Sequence, residues 1–357
     1  MHQSGRPDAG FPSSLVPVAA RIEERIRDLL DGELARWRAV DPALAEPLTT
    51  LRAFVDAGGK RLRPAFCHCA FIGAGGDPQD KAAIDAGAAL ELVHTFALLH
   101  DDVMDGSDRR RGVDAVHHDF ALRHERHGGR GEARRYGEGI AILVGDFAFV
   151  YADQLMRDAP GAALDIFDEL RIELCVGQSL DLMGTAAAST DAELAHRIAR
   201  FKSGKYTVER PLHLGAALAG RLDALAPALS DVGLPLGQAF QLRDDILGAF
   251  GDESTTGKPV GDDLREGKPT PLVAVAAARA TPADQQALAR LGAPDITPSD
   301  VEAIQDVFVR TGARDQIELD IAHFVRDART AIEAAPLTNE ACDLLDQLAL
   351  YVAWRDR

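Results

Sequence analysis

The stretch AAIDAGAALELVHTFALLHDD, residues 82–102, decides the fold. Its apolar residues recur at three- and four-residue spacing with no Pro among them, so it predicts one long helix from about Asp80 to Asp105. That helix ends in an acidic cluster, DDVMD at 101–105. Asp101 and Asp105 stand at i and i+4, and Asp102 and Asp105 at i and i+3, so their carboxylates crowd one face and repel by roughly 0.2–0.5 kcal/mol per pair. Something positive should relieve that. Hard divalent cations, held through one or two carboxylates and shared with substrate phosphates, are the standard partner of such oxygens. A single DxxxD reads as a solvated acidic helix end. Here a second acidic cluster, DDILG at 244–248, stands near the close of a second apolar run, LSDVGLPLGQAFQLRDDILGAF, and the two clusters together point to Mg²⁺.

Helical spacing holds nearly everywhere in the 357 residues, Ala and Leu dominate, and alternating β-branched stretches are scarce. An all-α fold follows. Hydrophobic content of 46% is ample for a sizeable core, and the net charge of −17 excludes non-specific nucleic-acid binding and attraction to anionic membrane surfaces. An anionic substrate must therefore meet locally clustered cations. Cys67, Cys69, Cys175 and Cys342 are few and unevenly spaced, which reads as buried structural thiols, and the C-x-C pair lacks the second pair a zinc site needs. Residues 1–13 read as a disordered tail without the apolar segment of a signal peptide, ahead of one domain over 14–357. No run of about 18 uncharged apolar residues is present, so the expectation is a soluble, cytoplasmic protein with no integral membrane segment.

LVPVAARIEERIRDLLDGELARW should form an amphipathic helix, followed by a loop GGKRLRP at 58–64 with Pro64 suited to helix entry. The polar, Gly-rich segment 112–139 reads as a loop insertion with weak helical pieces. Helical periodicity then resumes through IAILVGDFAFVYADQLM and ALDIFDELRIELCVGQSLDLMG, and C-terminal helices should run from about Leu272 to Arg355. Two apolar helices that each end in an acidic cluster suggest a bundle with both clusters at one mouth.

The cations that such a mouth needs lie beside the clusters: Lys60, Arg61 and Arg63 in the Gly-rich loop, Arg109, Arg110 and Arg111 after DDVMD, Lys202 and Lys205, then Lys258 and Lys268 after DDILG. Taken singly each reads as solvated surface charge; grouped in an acidic chain they read as a phosphate-binding set. The motifs GGKRLRP, LLHDDVMDGSDRRRG, LVGD, GQSLDL, FKSGKYT, GQAFQLRDDILGAFGD and TGKPVGDDLREGK occur in one order between about residues 50 and 272. In that order they resemble the trans-isoprenyl diphosphate synthases, or polyprenyl synthetases, and most of all the geranylgeranyl diphosphate synthases.

The resemblance implies a single helical bundle of the isoprenoid synthase type with a central cavity, a homodimer, and a Mg²⁺-dependent prenyltransferase that condenses isopentenyl diphosphate with an allylic diphosphate. It implies that Asp101 and Asp105 hold two Mg²⁺ and Asp244 a third, with Asp102, Asp245 and Asp263 in support. Arg110, Lys202 and Lys258 would hold the allylic diphosphate; Lys60, Arg63, His94 and Arg111 would hold isopentenyl diphosphate, and Lys268 joins the substrate-binding set. Ser203 and Gln241, with the Lys202 carbonyl, match polar groups near the allylic cation. No side chain is assigned as general base, because released diphosphate takes the proton. His94 lies seven residues before Asp101, two turns up the same face, and can reach the same mouth. Asp146 and Asp181 read as support for packing and hydrogen bonding.

Two positions depart from the family pattern. Gly248 replaces the last aspartate of the second cluster, with Asp252 one turn on as a substitute, and Ser203 replaces a threonine. For product length, the resemblance points to the residues before DDVMD: the small Ala97 on the Asp101 face leaves the tunnel open, and the bulky Phe96 would form its floor, favouring a twenty-carbon product over farnesyl diphosphate. A class I terpene cyclase and a non-catalytic regulatory subunit are the competing readings. A cyclase needs no second diphosphate site, and a regulatory subunit tends to lose the aspartates or the isopentenyl cations.

Overall fold

A computed structural model describes residues 10–110, 112–251 and 261–355. The chain opens with α1 (Val16–Val40), α2 (Glu46–Asp56) and α3 (Leu62–Gly73). The long helix read from the sequence is α4 (Lys81–Asp105). The Asp80 carboxylate caps it by accepting from the Ala82 N–H at 2.9 Å, and Gly106, at φ 68°, ends it in the left-handed conformation that glycine adopts without a Cβ penalty. DDVMD is therefore the last turn of a helix with both ends fixed.

A minimal antiparallel hairpin follows, with β1 (Arg109–Arg110) paired to β2 (Val113–Asp114). Next come α5 (Val116–Arg126), α6 (Ala133–Met156), α7 (Gly161–Ala186) and α8 (Ala192–Ile198). A π-helical stretch, Ala199–Glu209, leads straight into α9 (Arg210–Leu218), and α10 (Leu222–Phe250) carries the second acidic cluster. The short α11 (Asp262–Glu266) precedes α12 (Pro271–Arg279), α13 (Pro282–Leu288), α14 (Pro298–Arg310), α15 (Ala313–Ala334) and α16 (Asn339–Trp354).

In this bundle α4 is the central element, packed by α1, α3 and α6. Its Ala86, Ala88, Ala89, Leu90, Leu92 and Val93 are fully buried. Its two acidic residues above the mouth are buried as well, each paired with a cation: Asp85 accepts from Arg25 at 2.6 Å and Glu91 from Arg61 at 2.7 Å, so the helix sits in the core without an unpaired charge. Both α4 and α6 are long and apolar enough to cross a bilayer by length and composition, a point that the count of uncharged residues had missed. Burial accounts for α4; α6 instead turns Ile142, Leu143 and Val150 outward.

Three local expectations are corrected. The segment 112–139 is not a loop insertion: α5 and the first turns of α6 occupy it, and only 127–132 connects them. Its glycines misled, because Gly137 is a contact rather than a breaker: the α5 backbone at His117 passes where a Cβ would stand. The expected tail lies partly outside the described residues, at 1–9, and its remainder is anchored, with Phe11 edge-to-face on Tyr351 at 5.7 Å and Ser13–Leu15 in a 3₁₀ turn. Cys67 and Cys69 are buried, and burial pushes the Cys67 thiol up to about 12, whereas Cys175 is exposed on α7.

Candidate active site

Both acidic clusters open onto one cavity of about 610 Å³. Asp101 reaches it from α4, Asp244 and Asp245 from α10, and Asp263 from α11. The expected cations Lys60, Arg63, Arg110, Lys202 and Lys268 line the same space, with His94, Ser203 and Gln241. Ala97, Leu98 and Leu174 supply apolar wall. Lys258, Arg111 and Asp252 lie outside the described residues.

Charges in this mouth are interleaved. The Lys202 ammonium donates to Asp101 at 3.0 Å and to Asp181 at 2.6 Å, and Gln178 donates to the same Asp101 oxygen at 3.0 Å. The Lys268 ammonium stands 3.0 Å from Asp105, 2.5 Å from Glu266 and 3.8 Å from Asp263. Arg110 grips both oxygens of the buried Asp102 through Nε, at 2.8 and 2.7 Å. Asp102 is thus a positioning residue: it holds the Arg110 fork, which also reaches within 3.7 Å of Asp101. Burial pushes the Asp101 carboxyl up, but Lys202, Lys268 and Arg110 outweigh it and hold the group well below the usual carboxylate range. Burial likewise pushes Asp105 up, Asp101 and Glu266 add to it, and Lys268 opposes only in part, so Asp105 sits at about 6.

The placement of Lys202 comes from backbone contacts. It lies in the π-helical stretch, a local widening of the helix that is common at functional sites. On one side α7 presents Gly177, where a Cβ would come within 2.5 Å of the Lys202 Cα; on the other α10 presents Gly237, where a Cβ would meet the Gly204 Cα at 2.6 Å. Two glycines therefore let two helices close on the backbone around Lys202. Lys205, three residues on, turns away to Glu173 and takes no part in the mouth.

Other cations divide between structure and site. Arg61 is a clamp, bonded to Glu91 at 2.7 Å, to Glu23 at 3.1 Å and to the Val55 carbonyl at 3.0 Å. Arg63 donates to Thr207 Oγ1 at 2.9 Å and lies over the Tyr206 ring at 4.2 Å. Gln241 donates to Asp245 Oδ1 at 2.7 Å. Asp146 is no packing residue, being exposed and facing His100 at 3.7 Å. Phe96 does not line the cavity; its ring packs on His100 at 4.4 Å and Phe149 at 4.7 Å. At about 100° per residue, five residues from Asp101 turn it about 140° off that face, whereas Ala97 stays within about 40°.

Sequence reasoning missed Arg355. Its guanidinium pairs with Asp244 and lies over Phe240 at 4.1 Å, yet it sits just past α16 with no periodic cue. Gln178 was available within GQSLDL, one turn before Asp181. Among the described residues no three Asp, Glu, His or Cys side chains form a ready-made metal cage. That suits Mg²⁺, which takes one or two protein carboxylates and completes its shell with water and substrate phosphate. Asp245 fits the same demand, since it is buried and its Oδ2 has no hydrogen-bond partner among the described residues.

The chain is similar to known proteins over most of its length. The polyprenyl synthetase family pattern matches residues 45–308. The chain is 32% identical over 311 residues to geranylfarnesyl diphosphate synthase of Aeropyrum pernix, covering 84% of this chain and 92% of that one. It is 34% identical over 316 residues to geranylgeranyl diphosphate synthase of Mycobacterium tuberculosis, covering 83% of each. Among solved structures, geranylgeranyl pyrophosphate synthase from Corynebacterium glutamicum, complexed with isoprenyl diphosphate and magnesium, superposes with a TM-score of 0.87 at 35% identity, over 94% of this chain and 99% of that one. With the family's pattern spanning most of the chain and its fold reproduced throughout, this protein belongs to the polyprenyl synthetase family.

Proposed function

We propose that this protein is a Mg²⁺-dependent trans-prenyltransferase that condenses isopentenyl diphosphate with an allylic diphosphate and releases geranylgeranyl diphosphate. The observation that carries this reading is the shared cavity. Two acidic clusters and a separate basic set, the cations Lys60 and Arg63 with the His94 imidazole, face one space with an apolar wall. Three Mg²⁺ held by Asp101, Asp105 and Asp244 would neutralise the charge of a departing diphosphate. Lys202 and Arg110 stand beside the same carboxylates and supply fixed positive charge where the leaving group's charge develops.

Lys60, Arg63 and His94 line the side of the cavity nearest α3 and would hold the second diphosphate, so that the isopentenyl double bond meets the allylic carbon. Ala97, Leu98 and Leu174 keep water from the cation, and Ser203 and Gln241 offer oxygen atoms at its rim. The carbon–oxygen bond breaks, the new carbon–carbon bond forms, and the proton leaves with released diphosphate. Because Ala97 is the small cavity-facing residue one turn before Asp101, product length is set past it, with Phe96 acting only through the wall behind. The Mycobacterium tuberculosis and Corynebacterium glutamicum relatives, named for the twenty-carbon product, support that length.

We also propose a homodimer. Ile142, Leu143 and Val150 of α6 and Ile172, Val176 and Met183 of α7 are 41–68% exposed, and Arg171 ties the two helices by donating to Asp153 at 2.5 Å. Six large apolar side chains exposed on two linked helices support an interaction surface.

Purified protein incubated with labelled isopentenyl diphosphate, MgCl₂ and each short allylic primer should incorporate label into a twenty-carbon product. Cyclisation of an allylic diphosphate without incorporation would replace this reading by the cyclase one, and inactivity of the chain alone by the regulatory one.

A further inference from the structure

A second cavity, of about 530 Å³, lies between the end of α1, α2, the β1–β2 hairpin and the start of α5. Among the described residues Arg110 alone lines both this cavity and the one that holds the acidic clusters. The other walls also lead toward substrate-binding cations. Ala57 lines the second cavity and stands three residues before Lys60, and Val113 lines it as the hairpin partner of Arg110.

The lining selects a ligand class. Ala45, Ala53, Phe54, Val113, Ala115 and Val116 make it largely apolar, and Val113 is left 63% exposed, so a hydrocarbon body would remove apolar surface from water there. The charges around it decide the head group. Arg110 is committed to Asp102, and Arg123 pairs with Asp119 and, at 3.5 Å, with Glu46. Arg38, in the last turn of α1, lines the cavity, is exposed and pairs with no carboxylate among the described residues. A diphosphate calls for several free cations or a metal, whereas one free guanidinium suits a single carboxylate, which it can bind through two N–H groups.

We infer that this cavity binds a medium-chain carboxylate, with its tail between α2 and the hairpin and its head at Arg38, and that the bound ligand tightens diphosphate binding in the neighbouring cavity. The second half rests on the reading of that neighbouring cavity as a diphosphate site. The coupling runs through the hairpin. Its strands are two residues each, and a two-stranded hairpin is marginally stable by itself. A tail packed on Val113 holds β2, the Arg110–Val113 pairing carries that hold to β1, and Arg110 is then in place before a diphosphate arrives. A first ligand that orders a segment leaves less ordering for the second.

Isothermal titration calorimetry with decanoate, and with decanol as its uncharged control, tests this. The natural chain should bind decanoate, and saturating decanoate should tighten the binding of inorganic diphosphate in MgCl₂ by about fivefold or more. Arg38→Gln should weaken decanoate by about two- to fivefold and leave decanol unchanged. Ala53→Trp fills the cavity with its ring and should abolish binding of both, while thermal unfolding shows that each variant is folded. No decanoate binding by the natural chain, binding unmoved by folded Arg38→Gln or Ala53→Trp, or binding that leaves diphosphate affinity unchanged or weaker, would overturn the inference. If diphosphate with MgCl₂ does not bind with or without decanoate, the reading of the main cavity fails instead, and decanoate titrated against Ala53→Trp still decides whether the second cavity is a site.

Discussion

Gly177→Ala tests the link from backbone contact to chemistry. The added methyl would come within 2.5 Å of the Lys202 Cα, well short of the van der Waals contact distance, so one backbone must retreat by about 1 Å. Neither yields easily: Gly177 lies mid-way along α7, and the π-helical stretch is closed on its far side by Gly237. Overpacking of this kind costs about 1–3 kcal/mol. A control isolates that cost. Gly139 in α6 has nothing within 4 Å of where a methyl group would stand, so Gly139→Ala gains the helix propensity of alanine, roughly 0.5–1 kcal/mol, without a clash. Urea unfolding should therefore separate the two variants by at least the overpacking term. The same retreat carries the Lys202 ammonium away from Asp101 and Asp181, now 3.0 and 2.6 Å distant. A misplacement of about 1 Å costs on the order of 100-fold in rate, read as kcat/KM for label incorporation. If Gly177→Ala matched Gly139→Ala in both stability and turnover, the argument that glycine contacts place Lys202 would be refuted.

Further tests address charge, pH and product. Glu173 binds Arg210 through Nε at 2.6 Å and Nη2 at 2.8 Å and also pairs with Lys205, so Glu173→Ala leaves Arg210 only Glu169 at 3.7 Å and Lys205 only Glu209 at 3.8 Å and should cost about 3 kcal/mol in urea unfolding. Asp105 is raised to about 6 in the folded protein, so its stabilising contribution is complete below about pH 4, the unfolded value, and is lost as pH rises through 6. In EDTA-treated protein, stability between about pH 4 and 7 should fall by on the order of 3 kcal/mol more for the natural chain than for Asp105→Asn; parallel pH profiles would count against the raised carboxyl. Ala97→Phe should shorten the product by at least one five-carbon unit, because the ring enters the cavity, whereas Phe96→Ala should shift it less; a larger effect from Phe96 on chromatography would reverse that assignment.

What the sequence disclosed and what it hid divide along a physical line. The helix α4, its bounds near Asp80 and Asp105 and the two acidic clusters were legible because periodicity and i, i+4 spacing are local properties. So was the meeting of the clusters, since two apolar helices ending alike have one economical packing. The glycines were misread wherever their role is contact between helices. Gly137 looked like a loop residue and Gly248 like a loss, while each marks a place where another element comes too close for a side chain. Arg355 was invisible because its partner Asp244 lies 111 positions away, and Asp263 was visible only by resemblance because its contact with Gly248 is made between separate helices. A charged site assembled from distant elements follows this rule generally: the ligands that share a helix announce themselves by spacing, and the groups that balance or complete them do not. Here that second set is Arg355 on Asp244, Lys268 on Asp105 and Asp263 against Gly248, each reaching the acidic clusters from a different element. Diphosphate oxygens bound by Lys268 or Arg355 would compete with the carboxylates that these cations now hold, so the strength of the internal pairs sets part of the cost of binding. Asp101 keeps Gln178 and Arg110 when Lys202 turns; Asp244 has Arg355, and its release is the step on which the second cluster depends.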